Sequence, residues 1–229
     1  MKVVIAKKAG FCMGVRRAVD LTLDLVNQEE NISTFGPLIH NPQVLEVLQD
    51  KGVGILKKIP KAATGTVIIR AHGVPPAKKD ELRRSGLTVK DATCPRVLKV
   101  QAIISKHRKE GKATVIIGDK NHAEVEGLMG YAGPECQVVE NQAEAMALSL
   151  PSPYIIVSQT TQDERVFEAI TEIITSRNPG GEVFNTICDS THLRQEEVRK
   201  LCEQVEAVVV VERAPRRARH YRKAYIPGH

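Results

Sequence analysis

Three of the five cysteines in this 229-residue sequence stand at positions suited to chemistry. Cys12, Cys94 and Cys188 each follow a short β-branched run, and each precedes a stretch with helical period. The N-terminus of a helix carries unpaired N–H groups and a partial positive charge, which stabilise thiolates and anions. If the fold brings the three together, they form a three-thiolate site; otherwise they are three unrelated buried cysteines.

The number and spacing of the cysteines exclude the commoner cysteine frameworks. An odd number of widely spaced cysteines argues against a disulfide scaffold. A zinc ribbon or a thioredoxin-type site needs Cys-x-x-C pairs, which this sequence lacks. Cys202 shares an apolar helical stripe with Val198, Leu201 and Val205, so we expect it in the core.

Three histidines show a similar placement. His40, His72 and His122 each follow a candidate strand in a loop interrupted by glycine or proline. A single loop histidine is more often a surface group, but three at equivalent junctions would suit an anion or a metal ion. Glu124 follows His122 by two residues and could deliver a proton beside this cluster. The alternative for Glu124 is a carboxylate in the first turn of a helix, where the helix dipole favours it.

The elements that position these residues alternate along the chain. Short β-branched runs are separated by stretches in which apolar residues recur every three to four positions. This alternation predicts an α/β fold with parallel sheets covered by helices on both faces. In such sheets, functional groups collect beyond the carboxyl ends of the strands. The predicted strands lie at 2–6, 66–70, 87–91, 113–118, 137–140, 154–158, 181–187 and 207–211.

Composition excludes disorder as the main state. The sequence is 42% hydrophobic and 26% charged, which is apolar enough to bury a sizeable core. The longest uncharged apolar run, at 207–211, is too short to span a bilayer. The N-terminus lacks the long apolar segment of a secretory signal, so we expect a cytoplasmic protein that does not bind membranes.

The positive net charge of +6 is concentrated at the C-terminus. Residues 212–229 contain six basic residues and one acidic residue, so they account for +5 of the total. The other 211 residues carry a net charge of only +1. The body of the protein therefore has no electrostatic footprint for nucleic acid, and we expect no nucleic-acid partner.

Seven motifs occur in a fixed order between residues 1 and 211. They are GFCMGVRRA at 10–18, GPLIHNP at 36–42, RAHGV at 70–74, DATCP at 91–95, HAEVEG at 122–127, SQTT at 158–161 and NTIC at 185–188. Together these motifs resemble the 4-hydroxy-3-methylbut-2-enyl diphosphate reductase family, the iron–sulfur enzymes that end the non-mevalonate isoprenoid pathway. Ala123 departs from the proline that is usual in this family.

The resemblance implies three small α/β units with mainly parallel sheets around a central 4Fe–4S cluster, one per chain. Cys12, Cys94 and Cys188 would be its ligands, with the fourth iron left open as a Lewis acid. The implied reaction removes the hydroxyl of an allylic diphosphate as water and gives isopentenyl and dimethylallyl diphosphate. A one-electron donor such as ferredoxin or flavodoxin would supply the electrons.

The resemblance also implies roles for polar residues. His40, His72 and His122 match positions that bind the substrate, largely at its diphosphate. Glu124 matches the proton-relay acid, and Thr160 matches the hydroxyl that helps to orient the leaving group. Cys136 and Cys202 match no ligand of the family.

We expect the first α/β unit at 13–95 and the second at 96–187. Segments 1–12 and 188–211 would form a remnant of the third unit, and 212–229 an aberrant basic tail. The family continues after Val211 with glycines and a Ser-x-Asn motif, which is absent here, so the sequence indicates a truncated or frameshifted relative. The alternatives are a defective relative that binds a cluster without turnover and, ranked last, a protein whose tail binds RNA or a membrane surface.

Overall fold

Parallel strands and helices alternate in the computed structural model, which describes residues 3–151 and 153–209. The helices of this part are α1 Met13–Val26, α2 Pro42–Asp50, α3 Pro76–Arg84, α4 Pro95–Lys109, α5 Ala123–Ala132, α6 Gln142–Ala147, α7 Glu164–Arg177 and α8 Asp189–Cys202. The strands are β1 Ile32–Phe35, β2 Gly54–Leu56, β3 Thr66–Ile69, β4 Thr88–Asp91, β5 Ala113–Ile117, β6 Gln137–Val139, β7 Tyr154–Ser158 and β8 Gly181–Val183. The predicted α/β class with parallel sheets is confirmed.

Two four-stranded sheets share one topology. The strand order is β2-β1-β3-β4 in the first sheet and β6-β5-β7-β8 in the second, and every pairing is parallel. Strands β3, β5 and β7 are buried along their whole length, because helices cover both faces of each sheet. The order in which strands are added reverses between β1 and β3 in the first sheet and between β5 and β7 in the second, and such a reversal leaves a crevice at the carboxyl ends of the two strands.

Residues 11–188 form one compact unit that contains both sheets. Apolar clusters lie on the two faces of each sheet, with Ile68 on one face of β3 and Ile69 on the other. In the second sheet Ile156 and Ile155 divide the faces of β7 in the same way. These clusters fix the strands whose carboxyl ends carry the polar residues described below.

The second unit comprises the described residues 3–10 and 189–209. The Glu197 carboxylate accepts hydrogen bonds of 2.7 Å from the backbone N–H groups of Lys7 and Lys8. Arg194 of α8 donates to the backbone oxygens of Lys8 and Gly10. These polar contacts join the N-terminal segment to α8.

Two strand predictions in this second unit were wrong for the residues that can be described. Residues 3–6 are not in a strand, and Val3 and Ile5 are 73% and 81% exposed. Residues 207–209 are not in a strand either. An apolar run becomes a strand only when it pairs within a sheet and covers one face, and the described residues of this unit contain no sheet.

Cys202 is also not in the core, because α8 has no buried residue. Residues 210 and 211 and the basic tail at 212–229 lie outside the described residues. The predicted unit boundaries at 13–95, 96–187 and 188–211 remain predictions. Within the described ranges, no helix has the length and hydropathy needed to cross a membrane.

Candidate functional site

The three predicted histidines meet beyond the carboxyl ends of strands from both sheets: β1 and β3 are neighbours in the first sheet, and β5 belongs to the second. His40 follows β1, His72 follows β3 and His122 follows β5. The ring centroids of His40 and His72 are 4.4 Å apart, and that of His122 lies 5.5 and 5.4 Å from them. One nitrogen from each ring lies within 4.8 Å of the other two, so all three can contact one small ligand.

Helix starts explain how two of these loops are held. The side chain of Asn41 caps α2 by accepting a hydrogen bond of 3.1 Å from the backbone N–H of Val44. His122 caps α5 in the same way, because its Nδ1 accepts a hydrogen bond of 3.1 Å from the backbone N–H of Glu124. This bond leaves Nε2 as the free ring nitrogen of His122.

Burial and neighbouring positive charge keep the imidazoles neutral. Burial lowers the pKa of His72 to about 3, with further lowering from His40, His122 and Arg70. Burial and Arg70 also lower the pKa of His40. The pKa of His122 is lowered by burial, by His40 and by Arg70, against an opposing effect of Asp119. The Nδ1 atom of His72 is buried without a hydrogen-bond partner among the described residues.

Arg70 decides between the two ligand classes that a three-histidine cluster suits. Neutral imidazoles bind transition metals, and protonated imidazoles bind anions. The permanent guanidinium charge of Arg70 acts on all three rings, so it repels a metal cation and attracts an anion. An incoming anion would in turn raise the pKa of the imidazoles and favour their protonation. The arrangement therefore favours an anion.

Glu124 lies in the first turn of α5 but is only 2% exposed, so it is not a solvated helix carboxylate. Thr160, just beyond β7, donates from its backbone N–H to Oε1 at 2.7 Å and from its hydroxyl to Oε2 at 2.8 Å. Burial raises the pKa of Glu124, and the two hydrogen bonds from Thr160 oppose the rise. A buried carboxyl with a raised pKa holds a proton more readily than an exposed one and is suited to pass it to a bound group.

None of the three predicted ligand cysteines forms a disulfide, and Cys94 lies within electrostatic range of both Cys12 and Cys188. Cys12 is the N-cap of α1 and Cys94 that of α4, while Cys188 directly precedes α8. Burial raises the pKa of the Cys94 thiol, and Cys12 and Cys188 raise it further. Gly14 makes room for this approach, because a Cβ at residue 14 would lie 2.4 Å from Sγ of Cys94.

Backbone hydrogen bonds join the thiols to the other polar groups. The N–H of Cys94 donates to the oxygen of Ala71, next to His72, at 2.9 Å. The N–H of Cys188 donates to the oxygen of Thr160, the partner of Glu124, also at 2.9 Å. The thiols, the buried acid and the histidine cluster therefore belong to one connected site.

The donor set fits an iron–sulfur cluster better than a single ion. Thiolates are the usual protein ligands of such clusters, and three cysteines with an adjacent glycine provide them here. Among the described residues, only the histidine trio brings three ligand atoms close enough for one ion. Cys136 is a separate case, because it packs in an apolar cluster and burial raises its pKa to about 12.

Sequence reasoning missed two residues of this site, Arg70 and Gly14. Both lie inside motifs that the sequence analysis singled out. Their contribution depends on which side chain each one meets across the fold, and residue spacing carries no such signal.

Comparison with known proteins gives one consistent result. A family model described as "LytB protein" matches residues 3–214. The 4-hydroxy-3-methylbut-2-enyl diphosphate reductase of Syntrophotalea carbinolica is 39% identical over 92% of this chain and 76% of its own length. The enzyme of the same name from Treponema denticola is 41% identical over 92% of this chain and 78% of its own length.

Two solved structures share the fold. A reductase from Plasmodium falciparum, described as acting on E-1-hydroxy-2-methyl-but-2-enyl-4-diphosphate, matches with a TM-score of 0.81 and 28% identity, over 86% of this chain and 64% of that one. A (E)-4-hydroxy-3-methyl-but-2-enyl diphosphate reductase, described as the terminal enzyme of the non-mevalonate pathway, matches with a TM-score of 0.72 and 40% identity. This second match covers 89% of this chain and 74% of that one.

Proposed function

The chain belongs to the LytB protein family, and we propose that it is an oxidoreductase that converts 4-hydroxy-3-methylbut-2-enyl diphosphate to isopentenyl and dimethylallyl diphosphate. The reaction adds two electrons and two protons, breaks the bond between carbon and the hydroxyl oxygen, forms one C–H bond and releases water. The observation that carries the proposal is the buried Glu124–Thr160 pair, which is hydrogen-bonded to Cys188 on one side and adjoins His122 on the other.

Cys12, Cys94 and Cys188 are proposed to bind one 4Fe–4S cluster per chain. When bound, the cluster supplies the electrons and a Lewis-acidic iron. The support is the approach of Cys12 and Cys188 to Cys94 beside the buried acid, with Gly14 leaving space at Cys94.

The histidine cluster is proposed to bind the diphosphate. The neutral rings of His40 and His72 gain protons as the anion arrives, and the buried, unpaired Nδ1 of His72 gains a partner. His122 stays neutral, because its Nδ1 accepts the N–H of Glu124, and it donates to the anion from Nε2. Diphosphate is more highly charged than the rest of a C5 substrate, so this cluster sets its orientation and places the hydroxyl toward Glu124.

Glu124 and Thr160 are proposed to handle the leaving hydroxyl. The raised pKa of Glu124 lets its carboxyl carry the proton that turns the hydroxyl into water. Thr160 holds both carboxylate oxygens in place and contributes a hydroxyl that helps to orient the leaving group.

Each turnover consumes two electrons, so the proposal includes a one-electron carrier of the ferredoxin or flavodoxin type. None of the five cysteines forms a disulfide, which suits the reducing conditions of the cytoplasm. The proposal includes no nucleic-acid or membrane partner. It keeps the three α/β units, with 1–12 and 188–211 contributing to the third.

The test is an anaerobic reductase assay with the full 229-residue chain, a reduced one-electron donor and 4-hydroxy-3-methylbut-2-enyl diphosphate. We expect both C5 diphosphate products, identified by mass spectrometry after dephosphorylation, and their absence with a Cys94→Ser variant. A chain that holds the cluster but forms neither product would contradict the proposal and favour a relative that binds the cluster without turnover.

A further inference from the structure

We propose that Arg70 is the positioning residue of the anion site, because its guanidinium contacts all three segments that carry the histidines and gives the site a fixed positive charge. The inference rests on the proposed diphosphate-binding role of the histidine cluster. It adds a residue that specifies how firmly, and in what geometry, the anionic group is held.

Two of the three contacts are hydrogen bonds. Nε of Arg70 donates to the backbone oxygen of Gly73, next to His72, at 3.3 Å. Nη2 donates to a carboxylate oxygen of Glu126 at 3.3 Å, on the helix that His122 caps. Both hydrogen bonds are long, so each alone is weak. Together they let one rigid planar group link two loops.

The third contact is with the segment that leads to His40. A Cβ at Gly36 would lie 3.1 Å from Nη1 of Arg70, so the guanidinium packs against the backbone there. Gly36 also has a φ of +71°, which a side chain would strain. The backbone of this loop is held from the other side, because the N–H of Gly36 donates to the oxygen of Leu56 at 2.9 Å.

The charge of Arg70 is only partly compensated. Its side chain is 15% exposed, whereas its acidic partner Glu126 is 65% exposed, so solvent screens the carboxylate more than the guanidinium. The positive charge therefore acts mainly on the histidines, whose pKa values it lowers. It attracts an anion before the imidazoles are protonated.

Arginine and lysine differ in a way that separates the two parts of this role. Lysine would keep the charge but lose the planar group that reaches three segments at once. Glutamine would lose the charge as well. We therefore expect the affinity for an anionic probe to fall in the order wild type, Arg70→Lys, Arg70→Gln.

The experiment measures binding of inorganic pyrophosphate to the full chain by calorimetry, with Arg83→Gln as the control. Arg83 is an exposed arginine on α3 that pairs with Asp80, so its loss should leave binding unchanged. We expect Arg70→Gln to weaken binding about 10- to 100-fold, the usual effect of removing a charged hydrogen-bonding group. The affinity of Arg70→Lys, whose fold is checked by circular dichroism, should lie between that of the wild type and that of Arg70→Gln.

A second readout is the pH dependence of the same binding. Removing Arg70 removes a cause of the low histidine pKa values, so the limb on which affinity falls with rising pH, as the imidazoles lose their protons, should shift to higher pH in Arg70→Gln. The ionisation of pyrophosphate itself is common to all variants. A purely structural role for Arg70 would not move this limb.

Equal affinity of Arg70→Gln and wild type, or no shift in the limb on which affinity falls with rising pH, would overturn the inference. Arg70→Lys equal to wild type would overturn the positioning role, and Arg70→Lys equal to Arg70→Gln would overturn the role of the charge. Because pyrophosphate binding needs no turnover, its outcome is independent of the reductase assay, and failure of the proposed function is recognised separately.

Discussion

Replacing Glu124 by glutamine tests the proton role while preserving the shape of the site. The amide oxygen can accept the 2.7 Å hydrogen bond from the N–H of Thr160, and the amide nitrogen can donate to the Thr160 hydroxyl once that hydroxyl rotates. Both contacts survive, so substrate binding should stay near that of the wild type. What disappears is the only proton of this pair with a pKa suited to transfer.

The size of the effect follows from the kind of catalysis lost. Removal of a general acid costs about 100- to 10,000-fold in rate, so kcat should fall by that factor with KM nearly unchanged. The two hydrogen bonds from Thr160 become bonds between neutral groups, and this weakening is offset by the end of the desolvation penalty on a carboxyl that is 2% exposed. The melting temperature should therefore change little.

The pH dependence of stability gives an independent check on Glu124. Its pKa is raised by burial, so the folded state binds more protons than the unfolded state above the ordinary value of 4.5. The free energy of unfolding should then fall as pH rises from 4.5 through the raised pKa, and this slope should be smaller in the glutamine variant.

The assay is steady-state kinetics of both proteins under anaerobic conditions, with iron content measured on the same samples. Unchanged kcat in Glu124→Gln would refute the reasoning, because the proton would then come from elsewhere. A rise in KM without a fall in kcat would also refute it, because Glu124 would then act in binding alone.

Two further predictions concern the packing and the charge of the site. Gly14→Ala should reduce the amount of bound iron, because its Cβ would lie 2.4 Å from Sγ of Cys94. Gly54→Ala is the control, because its Cβ would lie 3.6 Å from the nearest atom and should leave bound iron unchanged. Equal iron content in the two variants would show that Gly14 is not needed for space. In the folded wild type the pKa of His72 is about 3, below the ordinary 6.5, so the free energy of unfolding falls as pH drops from 6.5 towards 3. His72→Asn lacks this titrating group and should lose less stability on acidification. Urea unfolding between pH 7 and pH 4 measures the free energy of unfolding of the wild type and of His72→Asn. An equal loss of stability in both would contradict burial as the cause of the low pKa of His72.

The site residues that lie at junctions between a strand and a helix could be predicted from the sequence. Cys94 could be placed at a helix start because Pro95 fixes the first helical position, and the structure has it as the N-cap of α4. The meeting of His40 and His72 follows from the rule that the carboxyl ends of parallel strands share one edge, because β1 and β3 are paired in one sheet. His122 follows β5 of the other sheet, so its place in the cluster depends on how the two sheets pack.

Other features depend on contacts that a sequence pattern does not encode. The position of Glu124 in a first turn is visible in the sequence, but its burial depends on Thr160, which lies 36 residues away. Strand β2 was missed because it is only three residues long, and β1, the candidate strand before His40, was given no bounds because it contains Ser33 and Thr34 among its four residues. The run at 2–6 looks like a strand, but residues 3–6 have no partner strand among the described residues.

The central claim is that Cys12, Cys94 and Cys188 bind one iron–sulfur cluster beside the Glu124 proton site. Its most direct test is the iron and sulfide content of anaerobically purified chains in which each cysteine is replaced by serine. We expect about four irons and four sulfides per wild-type chain, a loss of both in each of the three variants, and no change in Cys136→Ser, whose thiol lies in an apolar cluster. Full iron content in any of the three variants, or loss of iron in Cys136→Ser alone, would contradict the claim.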